Sequence, residues 1–228
     1  WAFGALPFAV ASALFSRGRF GSGRFVYSLA ASTPGDYPPP MAIVTPLETG
    51  LSGRRRLALA SPATLEPIGN IEVHTAADVS AAVDRARKAQ VDWGALPVSE
   101  RARFMVAALG VLLDRQEDIL TTVVLETGKP RTEALQMEIF ATGDALNYYA
   151  KNAERILKTE KRKLHGLTRL MKRLRIVYRP LGVVGVISPW NAPFVLAMNP
   201  AIQALMAGNA VILKPSEVAP FSGLLVGE

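Results

Sequence analysis

The sequence predicts an α/β fold whose centre is a parallel β-α-β unit near the carboxyl end of the chain. Two continuous apolar runs, residues 181–188 and 210–213, each lead into polar residues, which is typical of buried parallel strands that open onto a ligand site. The stretch between the runs is long enough for a helical crossover. Helical periodicity over residues 76–156 predicts the helices of this α/β fold.

The composition permits a sizeable core and removes several kinds of catalytic site. Of the 228 residues, 50% are hydrophobic and 20% are charged, which favours an ordered chain over a disordered one. The absence of cysteine removes disulfides, thiolate metal sites and thiol nucleophiles together. His74 and His165 are far apart in sequence, so we predict neither a metal site nor a Ser-His-Asp triad.

Residues 1–56 are predicted to be a leader outside the orderly part of the chain. The chain begins with Trp1, and its apolar residues 1–15 fall short of the roughly 20 that span a bilayer. No basic region precedes them, so a signal peptide is not indicated, and Met41 is an alternative start. We therefore expect a cytoplasmic protein without a stable membrane span. A surface anchor that uses this apolar stretch and the arginines after it is an open alternative.

Residues 57–157 are predicted to begin with two short strands and to continue as helices. Residues 57–60 and 68–73 are strand-like, with turn residues between them. Thr75 and Asp78 have the spacing of a capping box for the first helix, and Ser99 is the predicted cap of the second. The positions predicted to face the core are Val79, Ala82, Val83, Ala86 and Trp93 in the first helix and Ala102, Met105, Val106, Leu109, Leu112 and Leu113 in the second.

Two further helices are predicted before the chain becomes basic. An apolar segment at 119–125 ends at Gly128 and Pro130, which stop a helix. A longer helix is predicted from about Arg131 to Ile156. Its predicted inward positions are Leu135, Ile139, Leu146, Tyr149 and Ala153.

A strongly basic stretch interrupts the pattern at residues 151–179. Eleven Lys or Arg occur there with only Glu154 and Glu160 as acids. Such a run can bind phosphates, but it has few aromatic residues and no nucleic-acid motif, so we expect no nucleic-acid partner. A solvated strand or an oligomer surface is the favoured interpretation.

The crossover between the two apolar runs carries its own start and stop signals. Asn199 is the predicted cap, Pro200 the first helical residue and Gly208 the stop. Glu217, after the second run, can accept hydrogen bonds from ribose hydroxyls, with Lys214 beside it. No Gly-x-Gly-x-x-Gly follows the first run, so the glycines alone do not identify a nucleotide site.

Six segments in a fixed order carry a family resemblance. They are Ser61-Pro62-Ala63-Thr64 with Ile68-Gly69, Glu126-Thr127-Gly128-Lys129-Pro130, Pro180-Leu181-Gly182-Val183-Val184-Gly185, Pro189-Trp190-Asn191-Ala192-Pro193, Ala207-Gly208-Asn209 and Lys214-Pro215-Ser216-Glu217. Through them, residues 61–228 resemble the N-terminal part of the NAD(P)-dependent aldehyde dehydrogenase superfamily.

The resemblance implies a role for each residue of the predicted site. Asn191 is similar to the family's oxyanion-hole side chain, whose amide stabilises charge on the aldehyde oxygen. Lys214 and Glu217 resemble the contacts to the adenosine ribose, and a carboxylate there would repel a 2′-phosphate, so NAD is expected rather than NADP. The residues that resemble the lining of the cofactor cleft are Ile187, Ser188, Pro189 and Trp190. The residues alone leave open a turn role at 191, core packing at 190 and an exposed ion pair at 214 and 217.

The resemblance also implies a fold and an activity. The expected fold is an incomplete aldehyde dehydrogenase-like one, with N-terminal helices at 57–157, an oligomerisation-type strand segment at 158–179 and the first β-α-β of a Rossmann-type cofactor domain at 180–228. In the family a cysteine thiolate attacks a small-molecule aldehyde, hydride passes to the nicotinamide and a glutamate activates water. The family's cysteine, glutamate and glycine-rich turn lie beyond the segment resembled here.

The chain is therefore expected to be an N-terminal fragment of a homo-oligomeric aldehyde dehydrogenase, inactive alone because it has no cysteine. Two alternatives stay open. One is a non-catalytic truncated partner that assembles with full-length subunits through 158–179. The other is a basic adaptor for a membrane surface or a nucleic acid.

Overall fold

The computed structural model describes residues 9–10, 44–47 and 53–228, and over these the chain is an α/β protein, as predicted. Most of the predicted leader, with Met41, lies outside the described residues. The strands are β1 (Ala9–Val10), β2 (Val44–Leu47), β3 (Arg56–Ala60), β4 (Pro67–Glu72), β5 (Glu160–Arg162), β6 (Leu174–Ile176), β7 (Val183–Ile187) and β8 (Ala210–Lys214). The helices are α1 (Ala76–Ala95), α2 (Val98–Asp114), α3 (Gln116–Thr127), α4 (Arg131–Ala134), α5 (Ala141–Ile156), α6 (Thr168–Met171), α7 (Val195–Met206) and α8 (Pro220–Leu225).

The two predicted strands at 57–60 and 68–73 are confirmed as β3 and β4, which pair antiparallel, with β2 on the other side of β3. Leu57 and Leu59 alternate with less buried residues along β3, as expected of a sheet with one covered face. With Ile71 of β4 they form a small core against which Phe221 packs. This sheet is thus tied to the carboxyl-terminal part of the chain.

The capping box at the start of α1 is confirmed. The Thr75 side chain accepts from the Asp78 N–H at 3.3 Å, and the Asp78 carboxylate accepts from the Thr75 N–H at 2.8 Å. The bonds from Thr75, with Arg54 nearby, hold the pKa of Asp78 below its ordinary value. The prediction for α2 was wrong: the cap is Pro97, whose carbonyl accepts the first helical bonds, and Ser99 lies within the first turn.

The core lies where α1, α2, α3, α5 and α7 pack together. Most of the positions predicted to face inward are buried or half-buried, Trp93, Met105, Leu112 and Leu146 among them. Val106 and Leu113 were predicted to face inward but are exposed. Each directly follows a buried residue, and one helical step of about 100° turns it off the contact face.

The long helix predicted from about Arg131 to Ile156 is confirmed in extent, but it contains a π-helical turn at Leu135–Phe140. A π turn holds more residues than an α turn, so the buried row shifts along the sequence. Leu135, predicted to face inward, is exposed, whereas Ala134, Glu138 and Ile139 are buried. The π turn therefore places a glutamate in the core.

The predicted β-α-β unit is confirmed: β7 and β8 pair in parallel, with α7 between them. Every residue of β8 is buried, but β7 buries only Val186, and Ile187 is 76% exposed. The prediction of a buried strand was wrong for β7. Within the described residues β8 has a strand on both sides, whereas β7 pairs with β8 alone.

The start of α7 was also predicted wrongly. The helix begins at Val195, so Asn199 and Pro200 lie inside it rather than at its first turn. The stop at Gly208 is confirmed, with φ +88°, and a Cβ there would lie 2.9 Å from Pro180 Cγ. Glycine at 208 thus permits both the left-handed turn and the close approach of the chain that enters β7.

Side chains from α1 and α2 cap the carbonyl groups at the end of α7. Gln90 donates to Gly208 O at 3.0 Å, and Trp93 Nε1 donates to Leu205 O at 2.8 Å. The buried Arg101 donates from Nε to Met206 O at 3.1 Å and from its guanidinium to Leu96 O. A cation near a helix C-terminus also complements the helix dipole.

The basic stretch forms a hairpin of β5 and β6, with the short helix α6 between them, rather than a single strand. Every residue from 165 to 181 is exposed. Among the described residues, no helix is long and apolar enough to cross a bilayer.

Candidate functional site

The residues predicted to form the site lie at the carboxyl ends of β7 and β8. Ile187 lies opposite Lys214 in the parallel register, and the Ser188 N–H donates to Lys214 O at 3.1 Å. The two strand ends are therefore adjacent, and the loop after each strand starts from the same edge of the sheet. This edge is where open α/β sheets bind ligands.

Lys214 and Glu217 form an ion pair at this edge, with 3.0 Å between Nζ and Oε2. The lysine side chain is 10% exposed and the glutamate 43%, so the cation is the inner member and the carboxylate the outer one. Burial alone would raise the pKa of Glu217, but its own backbone N–H and the Lys214 ammonium hold that pKa below its ordinary value. Glu217 is thus kept ionised and available to accept hydrogen bonds.

Ser188 is buried beside this pair, and its hydroxyl has no hydrogen-bond partner among the described residues. A buried polar group without a partner costs about 1–3 kcal/mol, and this hydroxyl oxygen is closed to solvent. It offers both a donor and an acceptor. A ligand at this edge would therefore meet the exposed groups beside Ser188 rather than the hydroxyl itself.

The remaining predicted residues, Ile187, Pro189, Trp190 and Asn191, are exposed. Trp190 is 60% exposed, which excludes the alternative that it is a core residue. Of the predicted site residues, the structure joins Ser188 and Lys214 by a backbone hydrogen bond. The four exposed residues lie next to Ser188, at the end of β7 and in the loop that follows it. Among the described residues, no group of three His, Cys, Asp or Glu side chains is placed to hold a metal ion.

The loop that carries Asn191 is anchored immediately after it. Ala192, Pro193 and Phe194 are all buried, and the first backbone bonds of α7 run to Ala192 O and Phe194 O. Asn191 is therefore the last exposed residue before a fixed segment. Its amide can donate to a ligand in front of the sheet edge while its backbone is held from behind.

A buried carboxylate that the sequence reasoning missed holds the start of α7. Glu138 Oε2 accepts from the Val195 N–H at 2.8 Å, and Oε1 accepts from Lys129 Nζ at 2.8 Å. Glu138 is fully buried and Lys129 nearly so. The carboxylate meets a helix N-terminus and a cation together, which is favourable for both. Residues 134, 138, 142 and 146 recur every four positions, as residues on one face of a helix do. The glutamate at 138 in that row was the sequence signal for a buried carboxylate.

Asn209 closes the β-α-β unit from the opposite end. Its Oδ1 accepts from the N–H groups of Leu181 and Gly182 at 2.6 and 3.0 Å, and its Nδ2 donates to Ala204 O at 3.0 Å. One side chain therefore joins the segment that enters β7 to the end of α7. This bonding explains the asparagine of the Ala207-Gly208-Asn209 segment, to which no role was assigned from sequence.

Glu126 makes a second buried carboxylate site. It accepts from the N–H groups of Phe221 and Ser222 at 2.6 and 2.7 Å, and from the Ser222 hydroxyl. Burial raises the pKa of Glu126 to about 7, although the bonds from Ser222 and Phe221 act in the opposite direction. The carboxylate thus joins the end of α3 to the first turn of α8, just beyond the ion pair at 214 and 217.

We predict that Glu126 makes the fold less stable as the pH rises from 4.5 to about 7. Its folded-state pKa of about 7 lies above the ordinary 4.5, so its contribution is complete below pH 4.5 and is lost as the pH approaches 7. The free energy of unfolding should fall by about 3 kcal/mol across that window. Urea titrations at pH 5 and pH 8 measure the change, and Glu126→Gln should remove most of it. An equal pH slope in both proteins would contradict the assignment.

Comparison with known proteins assigns this arrangement to a family. A family model described as the aldehyde dehydrogenase family matches residues 50–228. The chain is 42% identical over 170 residues to 4,4'-diapolycopene aldehyde oxidase of a Methylomonas species, covering 75% of this chain and 32% of that protein. It is 41% identical over 165 residues to a Mycobacterium bovis protein named as an NADP-type succinate-semialdehyde dehydrogenase, covering 72% and 31%.

A solved structure agrees with the sequence comparisons. The Mycobacterium tuberculosis aldehyde dehydrogenase complexed with NAD+ superposes with a TM-score of 0.68 at 33% identity, covering 75% of this chain and 35% of that one. The chain therefore spans about a third of the length of the relatives it matches.

Proposed function

The chain belongs to the aldehyde dehydrogenase family, and from that premise we propose that it is the amino-terminal part of an NAD(P)-dependent enzyme that oxidises an aldehyde to a carboxylic acid. The observation that carries the proposal is the placement of Ser188, Lys214 and Glu217 at one sheet edge, beside the loop with Asn191. A cofactor with ribose hydroxyls and phosphates fits this edge, because Glu217 offers a partly exposed carboxylate to hydroxyls and Lys214 a cation to oxygen atoms.

The cofactor we propose is NAD. The outer carboxylate of Glu217 can accept from two neighbouring ribose hydroxyls, and Lys214 keeps it ionised. A 2′-phosphate would meet that negative charge at close range and be repelled. The M. tuberculosis relative is a complex with NAD+ and the M. bovis relative is named for NADP, so the cofactor class is NAD(P), and the charge of Glu217 supports the choice within it.

Within this segment, the exposed side chains of the loop act on the substrate. The Asn191 amide donates to the aldehyde oxygen, and its hydrogen bond strengthens as negative charge develops there. The bound cofactor supplies the hydride acceptor. The cysteine nucleophile of the family mechanism is not among these 228 residues, which contain no cysteine. The 228-residue polypeptide is thus expected to bind cofactor without oxidising aldehydes.

The hairpin of β5 and β6 is proposed to contribute to a homo-oligomer. Within the described residues these two strands pair only with each other, so each retains an unpaired edge. An unpaired edge can continue a sheet into a second subunit. The segment 158–179 is thus the proposed oligomerisation segment, and 180–228 the proposed start of the cofactor domain.

Glu217→Gln is expected to weaken NAD binding roughly ten- to hundredfold, because a hydrogen bond to a charged acceptor contributes about 1.5–3 kcal/mol. Binding of NADP should not weaken, because the charge that opposes its 2′-phosphate is removed. Calorimetric titration of the chain with each cofactor measures both constants. Glu154→Gln, an exposed glutamate on α5, is the matched control. Unchanged NAD affinity in Glu217→Gln would refute the ribose role.

A further inference from the structure

The tip of the β5–β6 hairpin, residues 161–175, is a concave basic surface. It encloses a cavity of about 450 Å³, and seven of the ten lining residues are Lys or Arg. The other three are leucines. We refer to these residues as the basic tip.

The charge of the basic tip is not neutralised by its neighbours in sequence. No Asp or Glu occurs between Glu160 and Glu217. Glu160 itself pairs with Arg162 and accepts from the Tyr178 hydroxyl at 2.8 Å. The tip therefore presents a positive field that favours an anionic partner.

The same tip exposes large apolar side chains. Leu167, Leu170 and Met171 are 79%, 74% and 80% exposed, on and beside the short helix α6. They alternate in sequence with Arg169, Lys172 and other basic residues. A surface that contacts only water does not need large apolar side chains this exposed. Their presence beside clustered cations therefore indicates a contact surface.

We propose that the basic tip docks on the surface of a bilayer that contains anionic lipids. Leu170 and Met171 enter the boundary between headgroups and acyl chains, while Arg169, Lys172 and Arg173 contact lipid phosphates. An anionic bilayer offers both an apolar layer and a layer of phosphates, and the tip matches both. A nucleic acid matches mainly the charge, since residues 161–175 contain no Phe, Tyr or Trp and His165 is the one ring on which a base could stack. These bilayer contacts come from α6 and the residues just after it, whereas the oligomer proposed above uses the free edges of β5 and β6. A second copy placed against the tip itself would oppose like charge to like charge.

Flotation of the full chain with lipid vesicles tests this proposal without any need for catalysis. The chain should float with vesicles of phosphatidylcholine mixed with phosphatidylserine and not with pure phosphatidylcholine, and salt should weaken the binding. Each basic residue at such a surface contributes about a fivefold effect, so the triple variant R169Q/K172Q/R173Q should lose about a hundredfold in partitioning. The variant L170S/M171S should also bind more weakly while its charge is unchanged.

The matched control is R85Q/R87Q/K88Q, which removes the same charge from exposed positions of α1. It should float like the unmodified chain, and circular dichroism should show that all variants fold alike. Equal loss in the control, or equal binding to neutral vesicles, would overturn the proposal. So would a DNA duplex that binds the tip more tightly than the vesicles do, or a change of oligomeric state in L170S/M171S with no change in flotation.

Discussion

Asn191→Ala is expected to lower kcat of the complete enzyme about 10²- to 10³-fold, which is the usual cost of removing one oxyanion donor. The amide acts mainly on charge that develops in the transition state, so KM for the aldehyde should change far less than kcat. Steady-state kinetics of the enzyme that contains this segment, with NAD at saturation, measures the two constants separately.

The matched control is Asn147→Ala, which removes an exposed asparagine amide from α5. It should leave kcat unchanged. If Asn191→Ala raised KM and left kcat intact, Asn191 would be a binding or turn residue, and the oxyanion role would be lost. The result bears on the loop alone, because Ala192, Pro193 and Phe194 keep it anchored in either case.

Glu138→Ala is expected to lower the free energy of unfolding by about 3–5 kcal/mol, since it leaves the nearly buried Lys129 ammonium and the Val195 N–H without their acceptor. Urea unfolding followed by circular dichroism measures the loss. Glu133→Gln, one turn earlier and exposed, should cost under about 0.5 kcal/mol and serves as the control.

A double variant separates the ion pair from the bond to α7. Replacement of both partners, in K129M/E138M, removes the unpaired charge, so it should be more stable than Glu138→Ala. Some loss should persist because Val195 still lacks its acceptor. A double variant as unstable as the single one would show that the pair to Lys129 contributes little, and that Glu138 acts through the helix start.

Features of the fold that depend on residues close together in the sequence were predictable. Thr75 and Asp78 cap α1 across three residues, and Gly128 and Gly208 end helices through their own backbone conformation. The start of α7 was not predictable in this way, because its acceptor comes from Glu138, 57 residues earlier. A local rule assigned the start to Asn199 instead. Leu135 was misplaced because a π turn changes the period on which helical patterns rest.

The site shows the same division. The strand ends were predictable, and the ion pair of Lys214 and Glu217, which spans three residues, was an alternative left open from sequence, although Lys214 is buried rather than exposed. The network behind the site was not, since Glu126 bonds to residues 95 and 96 positions later. Ser188 was assigned to the cleft by resemblance, but only the structure shows its hydroxyl buried without a partner.

The caps on α7 have a consequence for the order in which the chain can mature on the ribosome. Gln90, Trp93 and Arg101 bond to carbonyls that lie 118, 112 and 105 residues later in the chain. At roughly 5–20 residues per second, these acceptors are synthesised roughly 5 to 25 s after the helices that need them. During that interval the indole and guanidinium groups depend on water for hydrogen bonds. The helices α1 and α2 therefore cannot complete these bonds until residues 205–208 have been synthesised.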